Sequence, residues 1–426
     1  MGFTVRRTSR SYVRPSAATP SGTLELSIID RVVGLRHLVR SLHVFAPVAG
    51  RQGSPARVIR EALGKALVDY YPLAGRFVDG PGGPASARVE CTGEGAWFVE
   101  AAAGCSLDDV GRLDQYPFVI PEDDLLPDAA PGVEPLDLPL MMQVTEFSCG
   151  GFVVGLISCH AMADGLGAAQ FINAVGDYAR GLPKPRVSPI WARDLVPNPP
   201  KLSSAPPPFP RMFQFRHLVV DLSVDSINKV KSQFLQSTGQ RCSSFDVAIA
   251  KVWQARTRSL RLADPSTLVK LFFFANTRHL MRGGASAATA GFYGNCFYTV
   301  TVSAESGAVE GADVAGVVAM IRDPKARLPA EFAQWAAGEL VEKDPYELSF
   351  TYESLFVSDW TRLGFLEADY GWGTPSQVIP FAYHPFMPIA IIGAPPVPKA
   401  GARIMARCVE EENLPEFKEE MKAFQK

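Results

Sequence analysis

Between Leu182 and Pro210 the chain carries proline at positions 183, 185, 189, 197, 199, 200, 206, 207, 208 and 210. Each ring fixes φ and removes an N–H donor, so neither a helix interior nor a central strand runs through such a segment. Structureless connections of this length are rare inside a compact domain, and the segment reads as an extended link between two halves. Length agrees, because 426 residues exceed the roughly 250 to 300 at which a single core stops growing. The expected organisation is an N-terminal domain over 1–181, a crossover loop over 182–211 and a C-terminal domain over 212–426.

Both halves mix strand and helix signals, which predicts an α/β fold. Ser54-Pro55 offers a cap and a first-turn proline, followed by Val58, Ile59, Ala62, Leu63, Ala66, Leu67 and Tyr70 at helical spacing. Tyr71 to Arg76 then ends that helix with a proline stop and a glycine turn. Gly150 to Ser158 is a short, almost continuous apolar run, the pattern of a strand buried on both faces, and Leu166 to Arg180 returns to helical periodicity. In the second half, Asp225 to Leu235, Phe245 to Leu260, Asp313 to Arg322 and Pro329 to Glu342 read as helices. Thr267 to Ala275, Asn295 to Val302, Pro388 to Ile392 and Arg403 to Val409 read as strands.

Charge excludes several classes of partner. The 42 Lys+Arg and 44 Asp+Glu leave a formal charge of -2, so no field exists along the whole surface to hold nucleic acid or an anionic membrane. Apolar runs such as Phe152 to Ile157 are far below the ~20 residues that cross a bilayer, and MGFTVRRTSR contains no apolar signal core. Met1-Gly2 is followed by Arg6 where a myristoylation motif wants Ser or Thr. Seven cysteines without a CxxC pair read as buried thiols in a reducing, cytoplasmic compartment.

Of the six histidines, His160 alone has company, in Ser158-Cys159-His160-Ala161-Met162-Ala163-Asp164-Gly165. It follows the predicted buried strand, at the strand-to-loop edge where α/β folds commonly present catalytic groups. An imidazole there supplies a base near neutrality, able to take a proton from an attacking alcohol or amine. Asp164 either touches the ring or braces the loop, and the spacing admits both. His37 and His43 lack a third ligand at metal spacing, so no metal site is expected. GxSxG, GxxxxGK[ST] and HExxH are all missing, and Gly165 to Gln170 lacks the third glycine of a dinucleotide fingerprint. Ala368 to Pro375 forms a second unusual cluster, with Gly371 and Gly373 fixing the backbone around Trp372.

Taken in order, Leu26-Ser27-Ile28-Ile29-Asp30, Tyr71 to Arg76, the HxxxDG of His160 to Gly165, Tyr293-Gly294-Asn295 and Asp369 to Gly373 resemble the plant BAHD acyltransferases. Tyr370 stands where the family's DFGWG motif has Phe. The resemblance implies two chloramphenicol-acetyltransferase-like α/β domains joined by a long crossover loop, with an active-site channel between them and His160 at its middle. A piece near 376–392 is then lent to the first domain's sheet. Acyl-CoA is implied as co-substrate, with no permanently bound cofactor, no metal and no covalent enzyme intermediate. His160 is implied to be the general base, and Asp164 to pair with Arg278. Trp372 either donates its indole N–H to the oxyanion or shapes the CoA side, with Asp369, Gly371 and Gly373 supporting the site. For CoA, the expected contacts are Ser243, Ser244 and Lys251 at the start of one helix, where the N-terminus favours phosphate, together with Ser358 and Trp360.

The run from Arg10 to Pro15, Leu26 to Asp30 and Gly34 to Ser41 is similar to the grass members of that family that acylate monolignols, chiefly the p-coumaroyl-CoA:monolignol transferases. That similarity implies a monomer moving a hydroxycinnamoyl group from CoA to the primary hydroxyl of a monolignol. Ser27, His37, Tyr293, Tyr383 and Phe386 are the expected acceptor pocket, the aromatic rings stacking on flat phenylpropanoids. The rival expectations are transfer of another acyl group to a different alcohol, a sugar hydroxyl or an amine; a catalytically silent CoA-binding protein; and a Ser-His hydrolase, which the missing nucleophile elbow disfavours.

Overall fold

The structure is a computed structural model that describes residues 3–51, 53–200, 211–281, 290–339, 344–381 and 384–424. Two units emerge. The first takes in Met1–Pro197, Met281–Cys296 and Arg362–Tyr383; the second takes in Asn198–Leu280, Phe297–Thr361 and His384–Lys426.

In the first unit the elements run β1 (Val5–Val13), β2 (Thr23–Glu25), β3 (Leu38–Phe45), α1 (Pro55–Asp69), β4 (Arg76–Gly80), β5 (Gly83–Glu90) and β6 (Ala96–Ala103). They continue with α2 (Glu122–Leu125), β7 (Leu140–Phe147), β8 (Phe152–Cys159) and α3 (Gly165–Ala179). The main sheet has the order β1-β6-β7-β8-β3, closed by the later strand Gln377–Pro380, and β2, β5 and β4 form a small second sheet. The apolar run after Gly150 becomes β8, buried along almost its whole length between β7 and β3. Gly155 is required there, because a Cβ would sit 2.1 Å from the Leu125 carbonyl oxygen. β3 lies antiparallel to β8, with Leu38 opposite Cys159 at one end and Phe45 opposite Phe152 at the other. That register brings His37 and His160, each one residue beyond the pairing, to the same end of the sheet.

α1 begins as its sequence predicts: the Ser54 side chain accepts from the Arg57 N–H and Pro55 occupies the first turn. Its apolar stripe, including Ile59, Leu63 and Leu67, is fully buried, and the helix packs beside α3.

The second unit is built on a six-stranded sheet ordered Phe297–Glu305, Leu268–Asn276, Ser354–Asp359, Ile389–Gly393, Ala402–Val409 and Arg216–Leu222. Its helices are α4 (Val224–Thr238), α5 (Ser244–Leu260), α6 (Ser306–Gly311), α7 (Val314–Ala337) and α8 (Leu414–Ala423). α5 starts from a capping box in which Ser243 and Asp246 satisfy each other's backbone N–H.

Several local expectations change. The two helices read over Asp313 to Arg322 and Pro329 to Glu342 are one helix, α7, with Pro324 and Pro329 inside it. The buried row Val317, Val318, Ile321, Leu328, Phe332 and Trp335 holds the helix together across the donors those prolines remove. β1 escapes the apolar pattern because its residues alternate half-buried and exposed, with arginines on it. Of the stretch expected near 376–392, Gln377–Pro380 pairs with β3 in the first unit, whereas Ile389–Gly393 pairs within the second unit's sheet. Of the proline-rich segment, residues 201–210 lie outside the described residues; before them stand a single turn at Arg193–Leu195 and a bridge between Ile190 and Phe292. Among the described residues no helix is long and apolar enough to cross a membrane.

Candidate active site

The HxxxDG segment links the end of β8 to the start of α3. Asp164 caps that helix, one carboxylate oxygen accepting from the Gly167 N–H at 3.0 Å and the other from the Cys296 N–H at 3.0 Å. These two contacts brace the loop, and the carboxylate charge also reaches the imidazole. Gly167 permits the second contact: a Cβ there would fall 1.9 Å from the Tyr293 carbonyl oxygen, so the 293–296 turn packs directly on the first turn of α3 only if that residue is glycine.

His160 is held by its own backbone. Its N–H donates to the His37 carbonyl at 3.0 Å, and its C=O accepts from the Asn295 side-chain amide at 2.8 Å. The imidazole is half-buried beside the His37 ring, with centroids 5.2 Å apart and planes tilted by 43°. His37 Nδ1 lies 2.8 Å from the Gly34 carbonyl, which can only accept, so this nitrogen carries the proton. Burial pushes the His160 pKa below its ordinary value of 6.5, and the Asp164 charge, the residue's own backbone, the Asn295 side chain and the Asp30 charge oppose that shift. The ring is therefore neutral at pH 7, the state in which an imidazole accepts a proton.

Behind the loop lies a buried polar cluster. Asp30, 1% exposed, accepts from the Asn295 backbone N–H at 3.0 Å and side-chain amide at 2.8 Å on one oxygen. Its other oxygen faces the Arg193 guanidinium at 2.8 Å and accepts from the Ser27 N–H at 3.1 Å. Ser27 returns the contact by accepting from the Asp30 N–H, so its hydroxyl braces this turn, and at 5% exposure it does not line an open acceptor pocket. Arg193 also donates to the Met162 carbonyl at 2.7 Å and the Trp191 carbonyl at 3.0 Å, with its guanidinium 4.0 Å from the Trp191 ring centre. Tyr293 borders a small apolar cavity behind the HxxxDG loop, together with Leu140, Met162 and Gly167. Its ring is buried among Tyr70, Trp191 and Arg193, and burial raises its pKa well above the usual phenol range.

Trp372 is the largest correction. Its ring meets Phe152 edge-on at 5.8 Å, and Phe152 begins the strand whose other end leads to His160. At ~3.3 Å per residue the intervening strand spans about 23 Å, so the indole N–H does not reach an oxyanion formed at the imidazole. Asp369 bonds the N–H groups of Gly371 (2.7 Å) and Gly373 (3.0 Å), and those glycines adopt φ of 98° and 79°; together they shape their own turn at that far end. Arg51 lies 4.7 Å over the Trp372 ring. Trp372→Phe is expected to keep kcat within about threefold while lowering the melting temperature; an oxyanion donor would instead cost about 10² to 10³ in kcat.

The remaining expected residues belong to the second unit. Lys251 is withdrawn as a phosphate ligand: its side chain is 4% exposed inside α5 and its ammonium lies 3.5 Å from Glu420. Ser243 is occupied as the α5 cap, and the Ser244 hydroxyl accepts from Lys231 at 2.8 Å. Trp360 donates its indole N–H to the Ser358 hydroxyl at 3.2 Å. Arg278 sits just past the strand Leu268–Asn276, its guanidinium 3.3 Å from the Asn276 side-chain oxygen. Phe386 stacks on His384 at 4.8 Å, and Tyr383 lies outside the described residues. Arg193 lies within the proline-rich link and belongs to no motif, and Asp30 and Asn295 stand out in the sequence only as members of the Leu26–Asp30 and Tyr293–Asn295 runs. The flanking Trp191 was the one local hint that this arginine turns inward.

Two mixed-sheet α/β units, one carrying an HxxxDG loop from strand to helix, are the build of the chloramphenicol-acetyltransferase-like acyltransferases. The chain belongs to the Transferase family, the BAHD acyltransferases, whose model matches residues 3–424. Among its relatives, acyl transferase 4 of Oryza sativa subsp. japonica is 74% identical over the full length of both chains. The myricetin 3-O-glucosyl 1,2-rhamnoside 6'-O-caffeoyltransferase AT2 of Crocosmia x crocosmiiflora is 39% identical, again over the full length of both. The crystal structure of F. graminearum TRI101 complexed with coenzyme A and T-2 mycotoxin matches with a TM-score of 0.76 at 15% identity, covering 94% of this chain and 97% of that one.

Proposed function

We propose that this acyltransferase moves a p-coumaroyl or closely related hydroxycinnamoyl group from CoA to the primary hydroxyl of a monolignol, with His160 as general base. The observation that carries the chemistry is the imidazole itself, kept neutral by burial and fixed at both its backbone N–H and its C=O. His160 takes the acceptor's proton as the oxygen attacks the thioester carbonyl. The tetrahedral oxyanion then collapses, the C–S bond breaks, and the imidazolium returns its proton to the CoA thiolate. Ester and free thiol are the products, with His160 restored and no covalent enzyme intermediate.

His37, whose ring flanks His160, faces the acceptor. The CoA phosphates are met at the start of α5, where Lys231, Arg322 and Lys325 gather around Ser244 and Asp246 in place of the buried Lys251. The Ser358–Trp360 pair serves the pantetheine side. The enzyme acts as a cytoplasmic monomer, which suits seven cysteines outside any disulfide.

A caffeoyl donor in the name of a relative 39% identical supports a hydroxycinnamoyl group here, and that relative's glycoside acceptor makes a sugar hydroxyl the second reading. A matrix of p-coumaroyl-, feruloyl-, benzoyl- and acetyl-CoA against coniferyl alcohol, a flavonol glucoside and a phenolic amine, with products identified by mass, tests both. Coniferyl p-coumarate as the dominant product is expected. Dominant glycoside ester would favour the second reading, and dominant amide would exclude both.

A further inference from the structure

We propose that Asn295, backed by the buried Asp30–Arg193 ion pair, is a positioning residue that fixes the His160 ring for proton transfer by holding the carbonyl of that same residue. The inference deepens the acyl transfer proposed above and rests on His160 being its base. Asn295 is completely buried, and its side-chain amide donates to two acceptors, the His160 carbonyl and Asp30, both at 2.8 Å. Asp30 is held in place by Arg193 on its other oxygen. Arg193 closes the arrangement by donating to the Met162 carbonyl, so the catalytic loop is gripped at residues 160 and 162 from one buried charge pair. Ala192 is held at φ 28°, a conformation costly for any residue with a Cβ, and that turn delivers Arg193 inward. Gly294 belongs to the same design, because a Cβ there would lie 2.5 Å from the guanidinium carbon.

Such a grip acts on charge as well as position. Facing His160 among the described residues are Asp164 on its own loop, His37 before β3, and Asp30 with Asn295 behind it; Arg36 and Asp137 act on the neighbouring Cys159. The Asn295 side chain and the Asp30 charge both favour the protonated ring, opposing desolvation. Removing either weakens the base.

The test is an NMR titration of ring-labelled histidine in the full chain, the His160 resonance being assigned by its loss in His160→Gln, together with kcat and KM for p-coumaroyl-CoA and coniferyl alcohol. Asn295→Ala is expected to lower the His160 pKa further, since the Asn295 side chain opposes the shift that burial imposes, and to cut kcat about 10- to 100-fold with KM within about twofold. Asp30→Asn, which keeps the shape and removes the charge, should move the titration the same way and carries the test if Asn295→Ala does not fold. An unmoved titration in a folded variant overturns the proposal even if the rate falls, since a purely structural role lowers the rate without retuning the ring. The titration needs no turnover, so a wild-type enzyme inactive on this substrate pair would count against the substrate reading and leave the positioning result to be read directly.

Discussion

His160→Ala is expected to lower kcat by about 10² to 10⁴ while acyl-CoA binding stays within about threefold of wild type. The imidazole lies at a loop edge and is half-buried, so its removal opens little core and the variant should fold with nearly unchanged stability. The pH profile gives a second reading. Because burial holds the folded-state pKa below 6.5, the free enzyme's kcat/KM should be flat near neutrality and fall only as acid drives the pH through that lower value. The sign for stability follows the same protonation. Below pH 6.5 the unfolded chain takes up a proton that the folded imidazole refuses, so this group withdraws stability as the pH falls towards the folded pKa. Calorimetric binding of the CoA thioester to the alanine variant, with thiol release as the activity readout, separates lost chemistry from lost binding. Turnover within tenfold of wild type would assign the proton transfer to another group.

How much of this was legible beforehand differed by kind of interaction. β8 and α3 could be read because their signals are local: a run of branched apolar residues, then helical spacing, with His160 and Asp164 in the connection. α1 could be read for the same reason, from its Ser-Pro start. Trp372 could not be placed, because proximity to a site depends on which end of which strand a loop packs against, and only the pairing of Gln377–Pro380 with β3 and the contact with Phe152 reveal that end. Lys251 misled for a physical reason too. A lysine one or two turns into a helix whose N-terminus favours anions looks available until the burial of nearly the whole of α5 is known, after which its ammonium meets Glu420. The cluster of Asp30, Arg193 and Asn295 was the least visible. Its members are separated by more than a hundred residues, and one of them lies in a segment whose prolines say only that it is extended.

Arg193→Met should cost about 3 to 5 kcal/mol of the first unit's stability, because it keeps the bulk and strands the Asp30 carboxylate in a buried site without its guanidinium. Urea denaturation followed by the fluorescence of Trp97, Trp191 and Trp372, all in that unit, reads the loss. Asp30→Asn in the same chain removes the stranded charge, and the double variant should regain about 1 to 3 kcal/mol relative to Arg193→Met alone. A single variant within 0.5 kcal/mol of wild type would mean that the pair contributes little. Stability, however, is a poor reason to bury such a pair, since apolar residues of similar volume often do as well or better. What apolar residues cannot do is accept from Asn295 or donate to the Met162 carbonyl. The double variant Asp30→Leu/Arg193→Met therefore separates the two roles: it should fold, and its kcat should still fall because the loop carrying His160 has lost the polar contacts that seat it.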